Sequence, residues 1–525
     1  MRASKWIGLC VCSLLAAPCF AQSFAELAKA DPSNWFSYSG SFGGQRFSAL
    51  RQIDTGNVDR LGVKWIFHVG RAQELEGVPV VAGGVMYVSQ PNEVVALDAR
   101  SGRMIWRYQR STRNGGHNRG VAVYDQKVFV GTTDAYLVAL DARTGNVIWE
   151  TRMPGNSPRY QGGAPLAVNH KVIAGLYSTS GSVVAYDSDT GKVLWQWNAI
   201  PHPGEPGSET WKGVDAWKFG GGPTWLTGTY DPDLNLLYWG TGQANPDFIG
   251  DRRPGDNLYS ECVVALDADT GKLKWYFQFT PHDVHDWDSV EIPILLDASY
   301  EGHPRKLLVE ANRNGYYYVI DRTNGKFLHG APFVHSLTWA DGLTPEGRPI
   351  VVPGKEPTLT GNVVCPPTQG ATNWPSPSYD PETHAFYLIA TEGCSINYRG
   401  SENFQPTSVS SNGTGYIESP NEGQRWQNYV RALDALSGKL IWEYKQIGSN
   451  HYGPGLMSTA GGLVFAGDNQ GVLTALDARA GKPLWHFSTG EKITASPMAY
   501  SVDGQEYIGL ISGPNVIVFG LAGSQ

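Results

Sequence analysis

Short apolar runs separated by turn residues recur along most of this chain. A typical unit has one apolar hairpin, such as residues 79–88, followed by Ala-Leu-Asp, a Thr-Gly or Ser-Gly turn and a segment ending near Trp. Apolar and β-branched runs of this length, bounded by Gly, Asp and Asn, are typical of strands. The pattern therefore predicts an all-β protein.

The second hairpin of each unit repeats with a constant spacing. Ala96 precedes Trp106 by ten residues, and this separation recurs at Ala139–Trp149, Ala185–Trp195, Ala265–Trp275, Ala432–Trp442 and Ala475–Trp485. A copy at Val319–Gly325 lacks the Trp. Such repetition indicates packing between structural repeats rather than chemistry.

The repeats predict an eight-bladed β-propeller with tryptophan docking motifs. Eight first hairpins begin near residues 78, 121, 164, 226, 292, 376, 457 and 496, and four strands per unit is the composition of a propeller blade. The last unit ends at residues 515–520 without a Trp strand, whereas a spare one lies at residues 61–67. We expect this N-terminal strand to complete the last blade and close the ring, which leaves no open edge. Residues 22–525 then form a single domain.

Four long insertions interrupt the repeats, at residues 197–222, 247–261, 333–373 and 394–431. Long ordered loops on a compact fold usually build a site. We expect them to lie over the axial funnel of the propeller.

The N-terminus predicts export. Residues 1–21 have basic Arg2 and Lys5, an apolar run at residues 7–17 and a small residue, Ala21, before a cleavage point, which is the pattern of a signal peptide. A lipid anchor at Cys19 is the alternative, and Pro18 disfavours it. The expected location is the periplasm. The net charge of −8 argues against a nucleic-acid partner.

Three cysteines remain after the predicted signal. In an oxidising compartment we expect Cys365 and Cys394 to form a disulfide, which leaves Cys262 free in a strand. The 525 residues contain no Cys-x-x-Cys-His motif, so they carry no c-type haem attachment site.

The stretch Thr280–Asp288 holds three carboxylates and two imidazoles within nine residues and follows a predicted strand. Catalytic groups are common on loops held by a rigid frame. Solvated turn residues are one alternative. A transition-metal cluster of His282, Asp283, His285 and Asp286 is another.

Several motifs resemble those of the quinoprotein alcohol dehydrogenases. They are Arg253–Asn257, Thr280–Asp283, Asn312–Gly315, and Cys365-Pro366 with Asn373. Members of that family are eight-bladed propellers that bind pyrroloquinoline quinone (PQQ) beside a metal ion in the axial funnel. The resemblance covers all eight blades. It implies oxidation of an alcohol to an aldehyde or ketone, with electrons passed to a separate soluble cytochrome c.

The resemblance also implies five cofactor-binding residues. Arg119 is expected to bind a carboxylate of the quinone with the bidentate geometry of a guanidinium, and Trp225 to stack on its rings. Arg313 is expected to polarise the quinone carbonyls. Asn373 resembles a second donor there, and Glu76 a further contact.

Asp286 matches the catalytic carboxylate of the family, which accepts the hydroxyl proton of the alcohol and also binds the metal. Asp288 falls where lanthanide-using members carry an extra carboxylate, and a trivalent ion favours one more anionic oxygen. Gln243 stands where a ligand Asn is expected and still offers an amide oxygen. The metal is therefore expected to be calcium or a lanthanide, bound by Asp286, Asp288 and Gln243.

The chain departs from the family pattern at three places. The blade-three hairpin at residues 172–183 contains no Glu, although a Glu usually binds the metal there. Gln243 replaces the expected ligand Asn, and Asn245 is the alternative ligand if the loop shifts. Arg113 and Asn114 occupy the place of an adjacent-cysteine disulfide.

A second hypothesis is a non-catalytic propeller of the binding or outer-membrane assembly type. Such a protein would share the tryptophan repeats, and the missing Glu favours it. Arg119, Trp225, Asp286 and Arg313 favour the enzyme, because a scaffold has no need of this set.

Overall fold

The fold is built from eight sheets of four or more strands, counted over the part of the chain that the structure describes. A computed structural model describes residues 29, 31–70, 75–112, 115–155, 162–176, 180–400, 415–421, 423–448 and 453–523. The alternation of apolar runs and Gly-containing turns explains this all-β structure. The predicted fold class, a β-propeller of eight blades, is confirmed.

Each blade pairs its four strands antiparallel. Blade 1 comprises Val80–Ala82, Val85–Gln90, Glu93–Asp98 and Met104–Gln109. Blade 2 comprises Ala122–Tyr124, Lys127–Thr132, Tyr136–Asp141 and Val147–Arg152. Blade 3 comprises Leu166–Val168, Lys171–Leu176, Ser182–Asp187 and Val193–Asn198. Blade 4 comprises Thr229–Asp231, Leu236–Gly240, Cys262–Asp267 and Leu273–Gln278.

The remaining blades follow in chain order. Blade 5 comprises Ile294–Tyr300, His303–Ala311, Tyr316–Asp321 and Lys326–Pro332. Blade 6 comprises Ser378–Asp380, Ala385–Glu392, Gln427–Asp434 and Leu440–Lys445. Blade 7 comprises Leu456–Thr459, Leu463–Gly467, Val472–Asp477 and Pro483–Ser488, with Phe47–Ser48 added in parallel. Blade 8 comprises Met498–Val502, Gln505–Ser512, Asn515–Leu521 and the N-terminal strand Leu61–His68.

The N-terminal strand completes the last blade, as predicted. Leu61–His68 pairs antiparallel with Asn515–Leu521. The indole of Trp65 on this strand donates a hydrogen bond to the carbonyl oxygen of Ala99 in blade 1 at 3.3 Å. The two ends of the chain are thus held in one sheet, and that sheet contacts the first blade.

The repeated tryptophans bind the neighbouring blade. The indole nitrogen of Trp106 donates to the carbonyl oxygen of Ala142 at 2.9 Å. Gly145 lies against the ring with φ +73°, and a Cβ there would be 2.6 Å from Trp106 Cε3. The same donation is made by Trp149, Trp195, Trp275 and Trp442. The fixed ten-residue spacing therefore sets the contact between blades.

Blade 5 makes this contact without a tryptophan. Tyr317 donates its hydroxyl to the carbonyl oxygen of Ala435 at 2.9 Å, and Gly438 of blade 6 lies against its ring. A tyrosine therefore replaces the missing indole of the degenerate repeat.

The long insertions carry short elements of their own. Two small sheets pair Ala340–Leu343 with Pro349–Val351, and Ser395–Asn397 with Asn362–Val364 and Tyr416–Glu418. The described 3-10 helices are Val58–Arg60, Ser208–Thr210, Ala216–Phe219 and Gly250–Arg252. None of the helices in the described ranges has the length and apolar character needed to cross a membrane.

The predicted disulfide is present. Cys365 and Cys394 are bonded, and Cys262 is free and buried in its strand. The bridge ties the insertion after blade 5 to the end of a blade 6 strand. It thereby holds Pro367, whose carbonyl oxygen accepts a hydrogen bond from Trp287 of the candidate catalytic loop at 2.9 Å.

Three predictions concern residues outside the described ones. They are the signal peptide at residues 1–21, the pair Arg113-Asn114, and residues 177–179 within the blade-three hairpin that lacks the expected Glu.

Candidate active site

The loop that follows blade 4 is shaped by one buried carboxylate. Asp283 accepts hydrogen bonds from the backbone nitrogens of His285 at 3.1 Å, Asp286 at 2.9 Å and Trp287 at 3.2 Å. Burial raises the pKa of Asp283 to about 6, against the opposing charge of Arg253. Asp283 therefore shapes the loop that carries Asp286.

Asp286 stands at the turn of this loop with an unusual backbone. Its φ of 63° is in the left-handed region, which non-glycine residues adopt mainly where the surroundings enforce it. Burial, and then the charges of Asp247 and Asp288, raise the pKa of Asp286 well above its ordinary value, while Arg313 opposes them. A cation bound beside Asp286 would offset these effects and keep the carboxylate ionised, which a base for a hydroxyl proton requires.

Asp288 joins two of the other predicted site residues. Its Oδ2 accepts a hydrogen bond from the indole nitrogen of Trp225 at 2.8 Å, and its Oδ1 accepts one from the backbone nitrogen of Gln243 at 2.7 Å. Gly242 makes this approach possible, because a Cβ there would lie 2.2 Å from Asp288 Oδ1. The solvated-turn alternative is wrong for Asp288, which is buried.

Arg313 is the cation beside both carboxylates. It donates to the backbone oxygen of Asp286 at 3.2 Å and to Asn373 Oδ1 at 3.1 Å, and its Nη2 lies 3.7 Å from Asp288. Burial lowers the pKa of Arg313, but Asp288, Glu291 and Asp286 outweigh burial and raise it. The guanidinium therefore stays protonated.

Asn373 is held by its own hydrogen bonds. Its Oδ1 accepts from Arg313 and from the backbone nitrogen of Trp374, and its Nδ2 donates to the carbonyl oxygen of Gln369 at 2.6 Å. In this structure Asn373 therefore orients the guanidinium of Arg313.

Arg119 is clasped by two aromatic rings. Its guanidinium lies 4.8 Å from the centroid of Trp225 and 4.6 Å from that of Trp374, which is a stabilising cation–π distance. Its Nη2 pairs with Glu76 at 2.9 Å. Glu76 and Trp374 also line a cavity of about 110 Å³.

The structure thus brings the eight predicted site residues into one connected network. Glu76, Arg119, Trp225, Asp288, Gln243, Arg313, Asp286 and Asn373 are its members. They come from loops that are separated along the chain and meet at one end of the blades.

Four buried polar atoms in this network have no hydrogen-bond partner within the described residues. They are Glu76 Oε2, Arg119 Nε, Arg313 Nε and Gln243 Oε1. Two of them have an ion-pair partner: Glu76 Oε2 lies 2.9 Å from Arg119 Nη2, and Arg313 Nε lies 3.5 Å from Glu291 Oε1. Buried polar atoms are nearly always hydrogen-bonded, so such orphans call for a ligand. The Arg119 Nε donor suits a carboxylate of the quinone, and the buried amide oxygen of Gln243 suits a hard metal ion. The residues present therefore fit both expected groups.

Sequence reasoning missed several buried carboxylates near the network. They are Asp247, Glu261, Glu291 and Glu310. Burial raises the pKa of Asp247 to about 7 and that of Glu291 to about 8. Nothing in the local sequence marks these residues, because their burial depends on how distant loops pack.

The transition-metal alternative lacks support in the described residues. The ring of His285 packs against Trp287, tilted by 33° with the centroids 4.4 Å apart, and burial lowers the pKa of His285 to about 3. His282 Nδ1 forms a hydrogen bond with the carbonyl oxygen of Gly255 at 2.9 Å. The described ranges contain no group of three or more His, Cys, Asp or Glu placed to hold a metal. The predicted calcium or lanthanide set has only two such side chains, with Gln243 as the third ligand.

Comparison with known proteins gives the family. Residues 35–332 match the glucose/ethanol/alcohol dehydrogenase beta-propeller domain. A shorter match, to outer membrane protein assembly factor BamB, covers residues 427–507. Quinoprotein alcohol dehydrogenase PedH of Pseudomonas putida is 37% identical over 514 residues, which cover 90% of this chain and 84% of the relative.

Two solved structures are similar throughout. The quinohemoprotein alcohol dehydrogenase ADHIIG of Pseudomonas putida has a TM-score of 0.88 and 31% identity, covering 96% of this chain and 83% of that one. A europium-containing methanol dehydrogenase has a TM-score of 0.84 and 30% identity, covering 95% and 100%. The chain belongs to the PQQ-dependent alcohol dehydrogenase family of β-propeller oxidoreductases.

Proposed function

We propose that this protein oxidises an alcohol to an aldehyde or ketone, using PQQ and a calcium or lanthanide ion. The observation that carries the proposal is a pair of buried atoms in this network, Arg119 Nε and Gln243 Oε1, that have neither a hydrogen-bond partner nor an ion-pair partner within the described residues. A non-catalytic scaffold would lose stability by burying these polar atoms without partners and would gain no function from it. When bound, PQQ accepts the two electrons that leave the alcohol.

Asp286 and Arg313 have different roles in the proposed reaction. Asp286 would take the hydroxyl proton, because a cation bound beside it would offset the burial and the like charges that raise its pKa and would keep the carboxylate ionised. Arg313 stays protonated and holds positive charge next to Asp286 and Asp288. Preorganised charge of this kind stabilises negative charge that develops during a reaction.

Other residues hold the cofactor and the metal. Arg119 would bind a cofactor carboxylate, and Trp225 would present its ring face to the cofactor. Asp286, Asp288 and the Gln243 amide oxygen would bind the ion. The extra carboxylate at Asp288 favours a lanthanide, because a more highly charged ion gains more from each anionic ligand.

Location and electron acceptor complete the proposal. The signal-like residues 1–21 support a periplasmic location. Because the 525 residues contain no Cys-x-x-Cys-His motif, we infer that a separate soluble cytochrome c receives the electrons. The match of residues 427–507 to an assembly factor lies within the repeats and includes none of the site residues.

Reconstitution tests this function. The purified metal-free protein is mixed with PQQ and either calcium or a light lanthanide, and dye reduction is measured with a panel of primary and secondary alcohols. We expect activity that depends on both additions. Absence of cofactor uptake with every metal would overturn the enzyme, and activity that survives Asp286→Ala would overturn the assigned base.

A substitution at Asp288 tests which metal the site prefers. Asp288→Ala removes one anionic oxygen and should weaken lanthanide-supported activity more than calcium-supported activity. Equal losses with the two ions would contradict the preference for a lanthanide.

A further inference from the structure

The turn that carries Arg313 also carries two buried asparagines. Residues 312–315 connect the second and third strands of blade 5, which are His303–Ala311 and Tyr316–Asp321. The backbone nitrogen of Gly315 donates to the carbonyl oxygen of Asn312 at 3.0 Å and closes the turn. Asn312 and Asn314, on either side of Arg313, are both fully buried. Their side-chain amides therefore need partners inside the protein.

Asn314 binds the start of the loop that carries Asp286, which is called the Asp286 loop below and comprises residues 279–289. Its Nδ2 donates to the carbonyl oxygen of Phe279 and to Oγ1 of Thr280, both at 3.2 Å. Its Oδ1 accepts from the backbone nitrogen of Tyr316 at 3.0 Å. One end of this amide thus stabilises the turn, and the other end holds the loop.

Asn312 binds the end of the same loop. Its Nδ2 donates to Oγ of Ser289 at 3.0 Å and to Oε1 of Glu310 at 3.1 Å. Its Oδ1 accepts from the backbone nitrogen of Asn314 at 3.1 Å. Ser289 directly follows Asp288, so this contact fixes the loop beside a carboxylate that is expected to bind the metal.

Three consecutive side chains therefore hold the Asp286 loop at its start, middle and end. The middle contact is the donation from Arg313 to the backbone oxygen of Asp286 at 3.2 Å. The backbone of Asp286 has a φ of 63°, and a non-glycine residue keeps such a conformation only where its surroundings enforce it. Hydrogen bonds on both sides of Asp286 supply that enforcement.

We propose that Asn312 and Asn314 are positioning residues, which hold the Asp286 loop from both ends and so fix Asp286 relative to the guanidinium of Arg313. Both asparagines act through the loop and the turn. Misplacement of reacting groups by about 1 Å can lower a rate by about 100-fold, so the precision of this arrangement affects catalysis. The inference rests on the proposed function, in which Asp286 is the base.

Hydrogen exchange tests the positioning without cofactor or metal. The backbone amides of residues 285–287 donate to the carboxylate of Asp283, and their exchange reports opening of the loop. We expect Asn312→Ala and Asn314→Ala each to make these amides exchange about 3- to 10-fold faster in the metal-free full chain, which is the effect of losing about one hydrogen bond. Amides in the strands of blade 2 should exchange as in the wild type.

Kinetics provide the second measurement. In the protein reconstituted with PQQ and metal, we expect both variants to lower kcat by about 10- to 100-fold, with KM changed by no more than a few fold. A merely structural role would lower the amount of folded protein and leave the kcat of the folded fraction unchanged.

Asn92→Ala is the matched control. Asn92 is a buried asparagine in the corresponding turn of blade 1, and its Nδ2 donates to Oγ1 of Thr133 in the next blade at 2.7 Å. Asn92→Ala should lower the melting temperature but leave both kcat and the exchange of residues 285–287 unchanged.

A double-mutant cycle tests the contact between Asn312 and Ser289. Ser289→Ala removes the acceptor and leaves the Arg313 turn intact. Because the two single variants break the same hydrogen bond, the double variant should lower kcat no further than the more damaging single variant. Losses that multiply in the double variant would overturn the role assigned to Asn312.

The remaining outcomes are distinct. Unchanged exchange at residues 285–287 in both asparagine variants would overturn the inference, as would equal acceleration in Asn92→Ala. Faster exchange with an unchanged kcat, in an active protein, would also overturn it. Faster exchange at the loop alone, in a protein whose wild type oxidises no alcohol with PQQ, would support the hold on the loop and refute the proposed function.

Discussion

The indole nitrogen of Trp225 donates a hydrogen bond to Oδ2 of Asp288 over 2.8 Å. The ring predicted to support the cofactor is therefore bound directly to a carboxylate predicted to bind the metal. Arg119 lies over the same ring. A substitution at any of these three side chains should therefore alter the position of the other two.

The substitution Trp225→Phe tests this link. It keeps an aromatic face but removes the donor to Asp288, so the carboxylate loses one of its two anchors. We expect PQQ binding to persist and metal affinity to fall by about 10-fold, since hydrogen bonds to metal ligands tune affinity on this scale. Fluorescence titration with PQQ and terbium measures both. Trp374→Phe, at the other ring over Arg119, is the control, and unchanged terbium affinity in Trp225→Phe would refute the link.

Arg313 should not tolerate lysine. A lysine keeps the charge but lacks the planar fork that reaches both Asp286 O and Asn373. We expect Arg313→Lys to lower kcat by about 10²- to 10³-fold, the scale of losing one preorganised donor, with a smaller change in KM. Steady-state kinetics with the reconstituted protein measure this. Arg305→Lys in the same blade is the control, and a kcat within a few fold of wild type in Arg313→Lys would argue against the assigned role.

The metal-free protein should lose stability as the pH rises. Burial raises the pKa of Glu291 to about 8, against about 4.3 in an unfolded chain. The folded state thus binds this proton more tightly. Its contribution to stability is complete below the unfolded pKa and is lost as pH rises through the folded pKa.

Glu291→Gln should remove this dependence. We expect the free energy of unfolding of the metal-free wild type to fall relative to the variant between about pH 4 and pH 8, at up to about 1.4 kcal/mol per pH unit. Urea unfolding at several pH values provides the curves. Glu346→Gln, at an exposed residue, should run parallel to the wild type. A Glu291→Gln curve that also runs parallel would show that Glu291 does not titrate as described.

The contact between blades can be tested at Gly145. An alanine at residue 145 would have to keep the left-handed φ of +73°, and its Cβ would lie 2.6 Å from the ring of Trp106. Gly84 has φ +77° but nothing within 4 Å of an added Cβ. We expect Gly84→Ala to cost about 1–2 kcal/mol, which is the strain of a left-handed residue. Gly145→Ala should cost about 1–3 kcal/mol more for the overpacked contact. Equal losses by chemical unfolding would mean that the docking contact adds nothing.

Much of the site was predictable, because the resemblance identifies residues by motif. Glu76, Arg119, Trp225 and Arg313 could be named from short segments, and the structure places them together. The contacts among them could not be named. The bond from Trp225 to Asp288 joins residues 63 positions apart, and Asn373 positions Arg313 from a third loop.

The sequence by itself determined the architecture of this protein. Strand periodicity and turn residues act locally, and the repeated spacing from Ala to Trp counts blades without knowledge of their arrangement. Two long-range pairings were predicted from the sequence, and both are present. The Trp-containing strand at residues 61–67 pairs with the last strand of the chain, and Cys365 is bonded to Cys394. These features were readable because each belongs to a pattern that repeats or must be completed.

Only the tertiary structure decided the electrostatics of the site. Asp247, Glu291 and Asp286 look like ordinary acidic residues in the sequence, and their raised pKa values arise from burial and from charges on other loops. In the same way, the backbone nitrogen of Gln243 donates to Asp288, and its buried amide oxygen has no hydrogen-bond partner within the described residues. Desolvation and charge interaction depend on distances in space, and neighbours along the chain do not determine those distances.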